Sequence, residues 1–194
     1  MRVGLLGGSF NPAHAGHRLI ADTALARLGL DQVWLLVSPG NPLKHSAEMA
    51  PMPERLASAR KIADGRRIIA TDIEHALGTR YTRDTLRTLH RLFPRAQFIW
   101  LMGADNLVQL PRWRDWMHIA RSTKIAVLPR PTYNHRALSS QAARRLRPWR
   151  VAASRAPALA ALPAPRWVFL HARQNPVSAT AIRHEQQSFP GDAS

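Results

Sequence analysis

Val3-Gly-Leu-Leu-Gly-Gly-Ser-Phe-Asn-Pro-Ala-His-Ala-Gly-His17 opens with a short apolar run, Val3 to Leu6, that ends in two glycines. Ser9, Phe10, Asn11 and Pro12 make a polar turn, and His14 and His17 follow three residues apart. Beyond them Leu19, Ile20, Ala24, Leu25 and Leu28 recur at helical spacing, with Gly29 placed as a C-terminal stop. A strand, a glycine turn and a helix start leave backbone N–H groups aimed at an anion. Two imidazoles at i and i+3 lie on one face of the first helical turn. Neither the dinucleotide-binding glycine fingerprint nor the P-loop spacing is present. The residues therefore suggest a phosphate site of another kind. A glycine pair after a strand is also common, and surface histidines at a helix start carry the competing, purely structural reading.

Strand-like and helix-like segments alternate outward from this stretch. Strands are predicted at Val3–Leu6, Val33–Val37, Arg67–Ala70, Gln97–Leu101, Lys124–Leu128 and Trp167–Leu170. Helices are predicted near His17–Leu28, Pro53–Ala63, Thr82–Leu92 and Trp113–Arg121, with a last one from Ser178. This order implies an α/β fold: a doubly wound, mostly parallel sheet with helices on both faces. Ligands of such folds sit at the carboxyl ends of the strands, beside a switch in strand order. The expected organisation is one domain over residues 1–194. Residues 139–165, rich in Ala, Arg and Pro, read as an insertion or loop with one short helix near Ser139–Leu146. Residues 188–194 read as a flexible tail.

Composition narrows the function classes. No apolar run reaches the length of about 18 residues that a membrane span needs. The N-terminus enters a strand directly, with no secretory pattern. Cysteine is absent, which excludes disulfides and thiolate metal sites and fits a reducing, cytoplasmic location. The net charge of +16 comes from 28 basic residues, only three of them lysines (Lys44, Lys61, Lys124). Such a balance fits a nucleic-acid partner, or polyphosphate substrates together with an arginine-rich coding bias. No zinc-finger spacing, RNA-binding aromatic motif or basic-region heptad appears, so nucleic acid is set aside as the main partner. Monomer and homo-oligomer both remain open.

Four further segments follow strands. Ser38-Pro-Gly-Asn-Pro-Leu-Lys44 is a turn ending in a point charge on a stiff loop. In Tyr81-Thr-Arg-Asp-Thr85, Thr82 reads as an N-cap of an amphipathic helix through Leu86, Leu89 and Leu92. In Met102-Gly-Ala-Asp-Asn106, Gly103 permits close backbone approach and Asp105 stands at a helix start, as N-cap or as site residue. Trp113, further along, offers a large rigid aromatic face for stacking or for the core. Pro176-Val-Ser-Ala-Thr-Ala-Ile-Arg183 places Thr180 and Arg183 three apart, a hydroxyl and a guanidinium able to meet the same phosphates.

Gly7-Gly-Ser-Phe-Asn-Pro-Ala-His-Ala-Gly-His17 resembles the signature of nucleotidyltransferases with an H-x-G-H motif, in particular the bacterial nicotinate-nucleotide adenylyltransferases. Asn11 stands where many members have Asp, and Leu43 where a histidine is usual. The other segments resemble that family's motifs in the family's order. The resemblance implies a Rossmann-like nucleotidyltransferase that joins ATP to nicotinate mononucleotide, releasing pyrophosphate, in NAD biosynthesis. It assigns His17 to the α-phosphate, His14 to the phosphate chain, and Lys44, Thr180 and Arg183 to the leaving pyrophosphate. Gly7, Gly8, Ser9 and Phe10 would line ATP, with Gly103 and Asp105 at its ribose and Ser178 by its phosphates. Ser9, Phe10, Asn41 and Lys44 would hold the mononucleotide. Tyr81, Thr82 and Thr85 would surround the nicotinate ring, on which Trp113 stacks. Arg130 lies where the family keeps an arginine, for substrate contact or for support. Mg²⁺ would arrive on the ATP phosphates, with no protein ligand of its own.

Overall fold

The computed structural model describes residues 1–40 and 49–172. Seven strands form one sheet: β1 (Arg2–Gly8), β2 (Gln32–Val37), β3 (Ile68–Thr71), β4 (Gln97–Gly103), β5 (Lys124–Leu128), β6 (Arg150–Val151) and β7 (Trp167–Phe169). Their order is β3-β2-β1-β4-β5-β7-β6, and every neighbouring pair is parallel. The chain runs outward from β1 through β2 to β3, then returns to β4 on the other side of β1. The switch in strand order therefore lies between β1 and β4, whose carboxyl ends are Gly8 and Gly103.

Parallel strands covered on both faces are apolar on both faces. Alternate residues of β1 and β4 accordingly feed two cores. Leu6, Ile99 and Leu101 join one core, with Ala21, Ala24 and Leu28 of α1 (Ala15–Leu28) and Leu56 and Ala59 of α2 (Met52–Ile62). Val3, Leu5, Phe98, Trp100 and Met102 join the other. That second face is covered by α4 (Thr82–Leu92), α5 (Ala104–Gln109), α6 (Trp116–Ser122), α7 (Asn134–Leu138) and α8 (Gln141–Arg145), while α3 (Ile73–Ala76) follows β3. Leu86 and Leu89 of α4 are fully buried, worth about 1.5–3 kcal/mol each relative to exposure. Gly29 ends α1 with φ of 59°, the left-handed cap for which glycine is suited.

Three expectations are corrected. First, β1 continues through Gly7 and Gly8 rather than stopping at Leu6. A Cβ on Gly7 would lie 2.7 Å from the indole of Trp100, so this glycine makes room for a neighbouring strand's side chain. Second, α6 starts at Trp116, because Asp115 before it holds φ of 50° and breaks the helical run. Third, residues 139–165 form no irregular loop. They contain α8, a 3₁₀ turn at Arg147–Trp149, the edge strand β6 and a 3₁₀ segment at Ala153–Ala161. Ala156, Leu159 and Ala160 of that segment are buried in the α1 core. Pro148 and Pro157 sit inside 3₁₀ turns, where the loss of an N–H costs less than in an α-helix.

Charge is unevenly carried. Between Asp115 and Glu185 the sequence has no Asp or Glu. The β5–β7–β6 half of the sheet, with α7 and α8, therefore exposes Arg136, Arg144, Arg145, Arg147 and Arg150 with no carboxylate of its own. No helix of the described residues is long and apolar enough to cross a membrane.

Candidate active site

The turn after β1 carries the chain across the switch point to His14, the N-cap of α1. The Gly16 N–H donates to Nδ1 of His14 at 3.1 Å, and the His14 N–H donates to Nδ1 of His17 at 3.2 Å. This is a capping box built from two histidines in place of a hydroxyl and a carboxylate. A nitrogen that accepts a hydrogen bond carries no proton, so each neutral ring holds its proton on Nε2. The two ring centroids are 4.0 Å apart, and Phe10 packs against His17 at 4.9 Å.

Electrostatics keep both rings neutral. Burial first, then the neighbouring His14 imidazole and the Arg130 guanidinium, which disfavour a second positive charge there, push the His17 imidazole from its ordinary 6.5 down to about 3. Burial, then Arg130, lowers His14 as well. The pair thus presents two neutral Nε2–H donors in a positive environment, the arrangement that suits a phosphate chain.

Across the switch point, Gly103 is the N-cap of α5 and Asp105 lies in its first turn, not at the cap. Asp105 Oδ2 is 3.2 Å from Nη1 of Arg130, which follows β5. Its Oδ1 is buried and has no hydrogen-bond partner among the described residues. A Cβ on Gly103 would stand 2.5 Å from that oxygen, so glycine is what leaves the carboxylate its place.

At the mouth of α4, Tyr81 and not Thr82 is the N-cap, and Thr82 is the first helical residue. Intrahelical bonds begin with the Asp84 and Thr85 N–H groups on the Tyr81 carbonyl. The N–H groups of Thr82 and Arg83 therefore point out of the helix mouth. Thr85 faces inward instead. It is fully buried, and its hydroxyl lies 2.9 Å from both Glu74 Oε1 and Thr79 Oγ1. The expectation that its side chain surrounds a ring is corrected accordingly: Thr85 ties α3 to α4. Burial pushes the Glu74 carboxyl up, and the Thr85 hydroxyl opposes that shift.

Trp113 is half-buried and meets Trp100 edge-on at 6.2 Å. Two contacts lace its segment to α4. The Arg114 guanidinium lies 4.9 Å over the Tyr81 ring, and Arg83 Nη1 is 3.0 Å from Asp115 Oδ2. The segments at Tyr81 and Trp113, 32 residues apart in sequence, thus form one wall.

Among the remaining expected residues, Gly8 ends β1 and Ser9 opens the turn. The Phe10 ring is 1 % exposed with φ of 47°, so it supports His17 from the core and leaves its backbone for a ligand. Asn41, Lys44, Ser178, Thr180 and Arg183, and the 188–194 tail, lie outside the described residues. The motifs do not single out Arg55 of α2. It is buried, and Nη1 donates to the Ser9 and Ser38 carbonyls at 2.8 and 2.7 Å. Its only sequence signal is an ordinary Glu-Arg pair at a helix start.

The cytidylyltransferase-like family profile matches residues 5–185. A probable nicotinate-nucleotide adenylyltransferase of Gluconobacter oxydans is 56% identical over 190 residues, covering 98% of this chain and 97% of that protein. One of the same name from Bradyrhizobium sp. is 49% identical, covering 97% and 98%. The solved structure of Plasmodium falciparum nicotinic acid mononucleotide adenylyltransferase complexed with NaAD superposes with a TM-score of 0.71 at 15% identity, covering 94% of this chain and 82% of that one. A putative nicotinate-nucleotide adenylyltransferase of Vibrio parahaemolyticus gives a TM-score of 0.54 at 20% identity, covering 66% and 73%. The two structural likenesses bear on the fold.

Proposed function

The chain belongs to the nicotinate-nucleotide adenylyltransferases of the cytidylyltransferase-like family, and on that premise we propose how its residues carry the reaction. The enzyme transfers the adenylyl group of ATP to nicotinate mononucleotide in NAD biosynthesis, giving nicotinate adenine dinucleotide and pyrophosphate. A 5′-phosphate oxygen of the mononucleotide attacks the α-phosphorus in line, and the bond from that phosphorus to the bridging oxygen breaks. No covalent enzyme intermediate forms. A phosphate monoester is already an anionic nucleophile, so alignment and charge stabilisation supply the catalysis.

The observation that carries this reading is the pair of neutral imidazoles with their protons on Nε2, at the switch point. His17 donates to the α-phosphate, where charge develops, and His14 to the phosphate chain. Backbone groups of Gly7 to Phe10 lie beside that chain. The unpartnered Oδ1 of Asp105 supports a role as acceptor for an ATP ribose hydroxyl, while Arg130 holds the carboxylate in place. The outward N–H groups at the start of α4 support a seat for the nicotinate carboxylate, flanked by Tyr81 and Thr82, with Trp113 as the stacking face. By their likeness to the family's motifs, Asn41 and Lys44 hold the mononucleotide, and Lys44, Ser178, Thr180 and Arg183 take the pyrophosphate. The imidazole N–H groups can hydrogen-bond phosphate oxygens but cannot ligate a cation through those positions, so Mg²⁺ would be carried on the ATP phosphates. Bound to ATP, Mg²⁺ would supply charge neutralisation of the phosphates.

Pyrophosphate release with ATP and Mg²⁺ tests this, offering nicotinate mononucleotide, nicotinamide mononucleotide and phosphopantetheine separately. Release confined to the nicotinate form is expected. Equal turnover of the nicotinamide form removes the helix-mouth carboxylate seat, and release with phosphopantetheine overturns the substrate.

A further inference from the structure

The geometry points to Arg55 as a positioning residue that, from α2, fixes the turn presenting His14 and His17. Arg55 is 3 % exposed, and no carboxylate pairs with it among the described residues. A guanidinium buried that way is costly unless its N–H groups are satisfied. Nη1 reaches the carbonyls of Ser9 and Ser38, at 2.8 and 2.7 Å, and Nε reaches the Ala50 carbonyl at 2.8 Å. Ser9 and Ser38 are the first residues beyond β1 and β2, the last pair before the two chains diverge. Below them the Ser38 N–H still donates to the Gly8 carbonyl at 2.9 Å. Arg55 therefore takes over where the ladder ends.

Two neighbours of Arg55 hold the same turn. The Ala50 N–H donates to Asn11 Oδ1 at 3.1 Å, and Ser58 Oγ accepts from the Ala13 N–H at 2.6 Å. Residues 9, 11 and 13 are thus pinned by residues 55, 50 and 58, at every second position of the turn. The next residue is His14, whose N–H fixes the His17 ring. α2 acts as a template that sets where α1 begins, and so which way both Nε2–H groups face. A lysine could not replace Arg55, because one ammonium cannot span three carbonyls in the planar fork geometry. The inference rests on the donor role proposed above for the two histidines.

Two variants test it, Arg55→Lys and Ser58→Ala, each read by histidine-selective ¹⁵N NMR and by adenylyl-transfer kinetics. Wild-type protein is expected to show both rings protonated on Nε2. Arg55→Lys is expected to give His14 a mixture of tautomers and to lower kcat by about 10- to 100-fold, the scale for misplaced catalytic groups. KM for the mononucleotide should change by less than about threefold. Ser58→Ala should move the same signals in the same direction by less. A folded Arg55→Lys protein with unchanged tautomers and kcat within about twofold of wild type overturns the proposal. If that variant does not fold, unchanged tautomers and kcat in Ser58→Ala overturn it. A wild type that forms no dinucleotide, with His14 still shifting in the variants, removes the enzymatic reading and leaves the positioning role standing.

Discussion

His14 and His17 are each held by a backbone N–H on Nδ1, and the one that holds His17 belongs to His14 itself. Capping and the proposed phosphate contacts therefore share two rings: the bonds that start α1 are the bonds that choose the tautomer. A hydroxyl or carboxylate would cap the helix as well, but would present no N–H donor to a phosphate.

His17 gives the clearest pH dependence. In the unfolded chain it takes a proton near its ordinary 6.5, and in the folded chain only near 3. Between those values the unfolded state binds the extra proton, so acid favours unfolding. The stabilising contribution is complete above about pH 6.5 and is lost as pH falls toward 3. The expected result is a melting temperature that declines below pH 6.5, and less steeply in His17→Asn. NMR titration should find the wild-type His17 ring neutral at pH 5, and a ring protonated there would contradict the burial argument.

His17→Ala should lower kcat by about 10²–10³-fold, the scale for one lost donor at a developing charge. The same change leaves the His14 N–H without its acceptor, so a modest loss of thermal stability should accompany it. A kcat within tenfold of wild type would refute the α-phosphate role.

Gly7→Ala should destabilise the fold by about 1–3 kcal/mol in urea unfolding, the usual cost of overpacking. The new methyl would lie 2.7 Å from the Trp100 ring. Trp100→Leu clears that volume, so a double-mutant cycle should show the two changes partly cancelling. Simple additivity would mean that the tight approach is not what position 7 avoids.

The Arg83–Asp115 ion pair should matter more to substrate binding than to stability. Its side chains are 28 % and 53 % exposed, and such pairs contribute under about 1 kcal/mol. Arg83→Ala is expected to leave the melting temperature within about 2 °C. It should raise KM for nicotinate mononucleotide several-fold, because one of the two contacts that lace the Tyr81 and Trp113 segments is lost and only the Arg114–Tyr81 contact remains. Equal KM values in wild type and variant would uncouple the two segments.

Much of the frame is legible in the sequence. The spans of β5 and α4 follow directly from apolar periodicity, and the α/β order follows from alternation. Local patterns fail where long-range packing decides. Ala153–Ala161 has no readable period, yet Ala156 and Leu159 are buried because α1 offers them a surface. Thr85 belongs to a recognisable segment, but its direction depends on Glu74, which a pattern of helix-start residues does not reveal. Arg55 is silent in sequence because its partners, Ser9, Ser38 and Ala50, form no local pattern with it. At the site, the histidine spacing indicates a shared face, and the hydrogen bonds add the tautomers.

Among the described residues, the acid-free run beyond Asp115 leaves the β6 edge of the sheet as a pole of uncompensated positive charge. On a cation-exchange bead or a silica surface at low salt it will land edge-first, through Arg144, Arg145, Arg147 and Arg150. Adsorption by that pole leaves the β1–β4 seam, three strands inboard, out of contact with the support. Ionic capture by that edge would hold the protein in a preferred orientation, and added salt would release it.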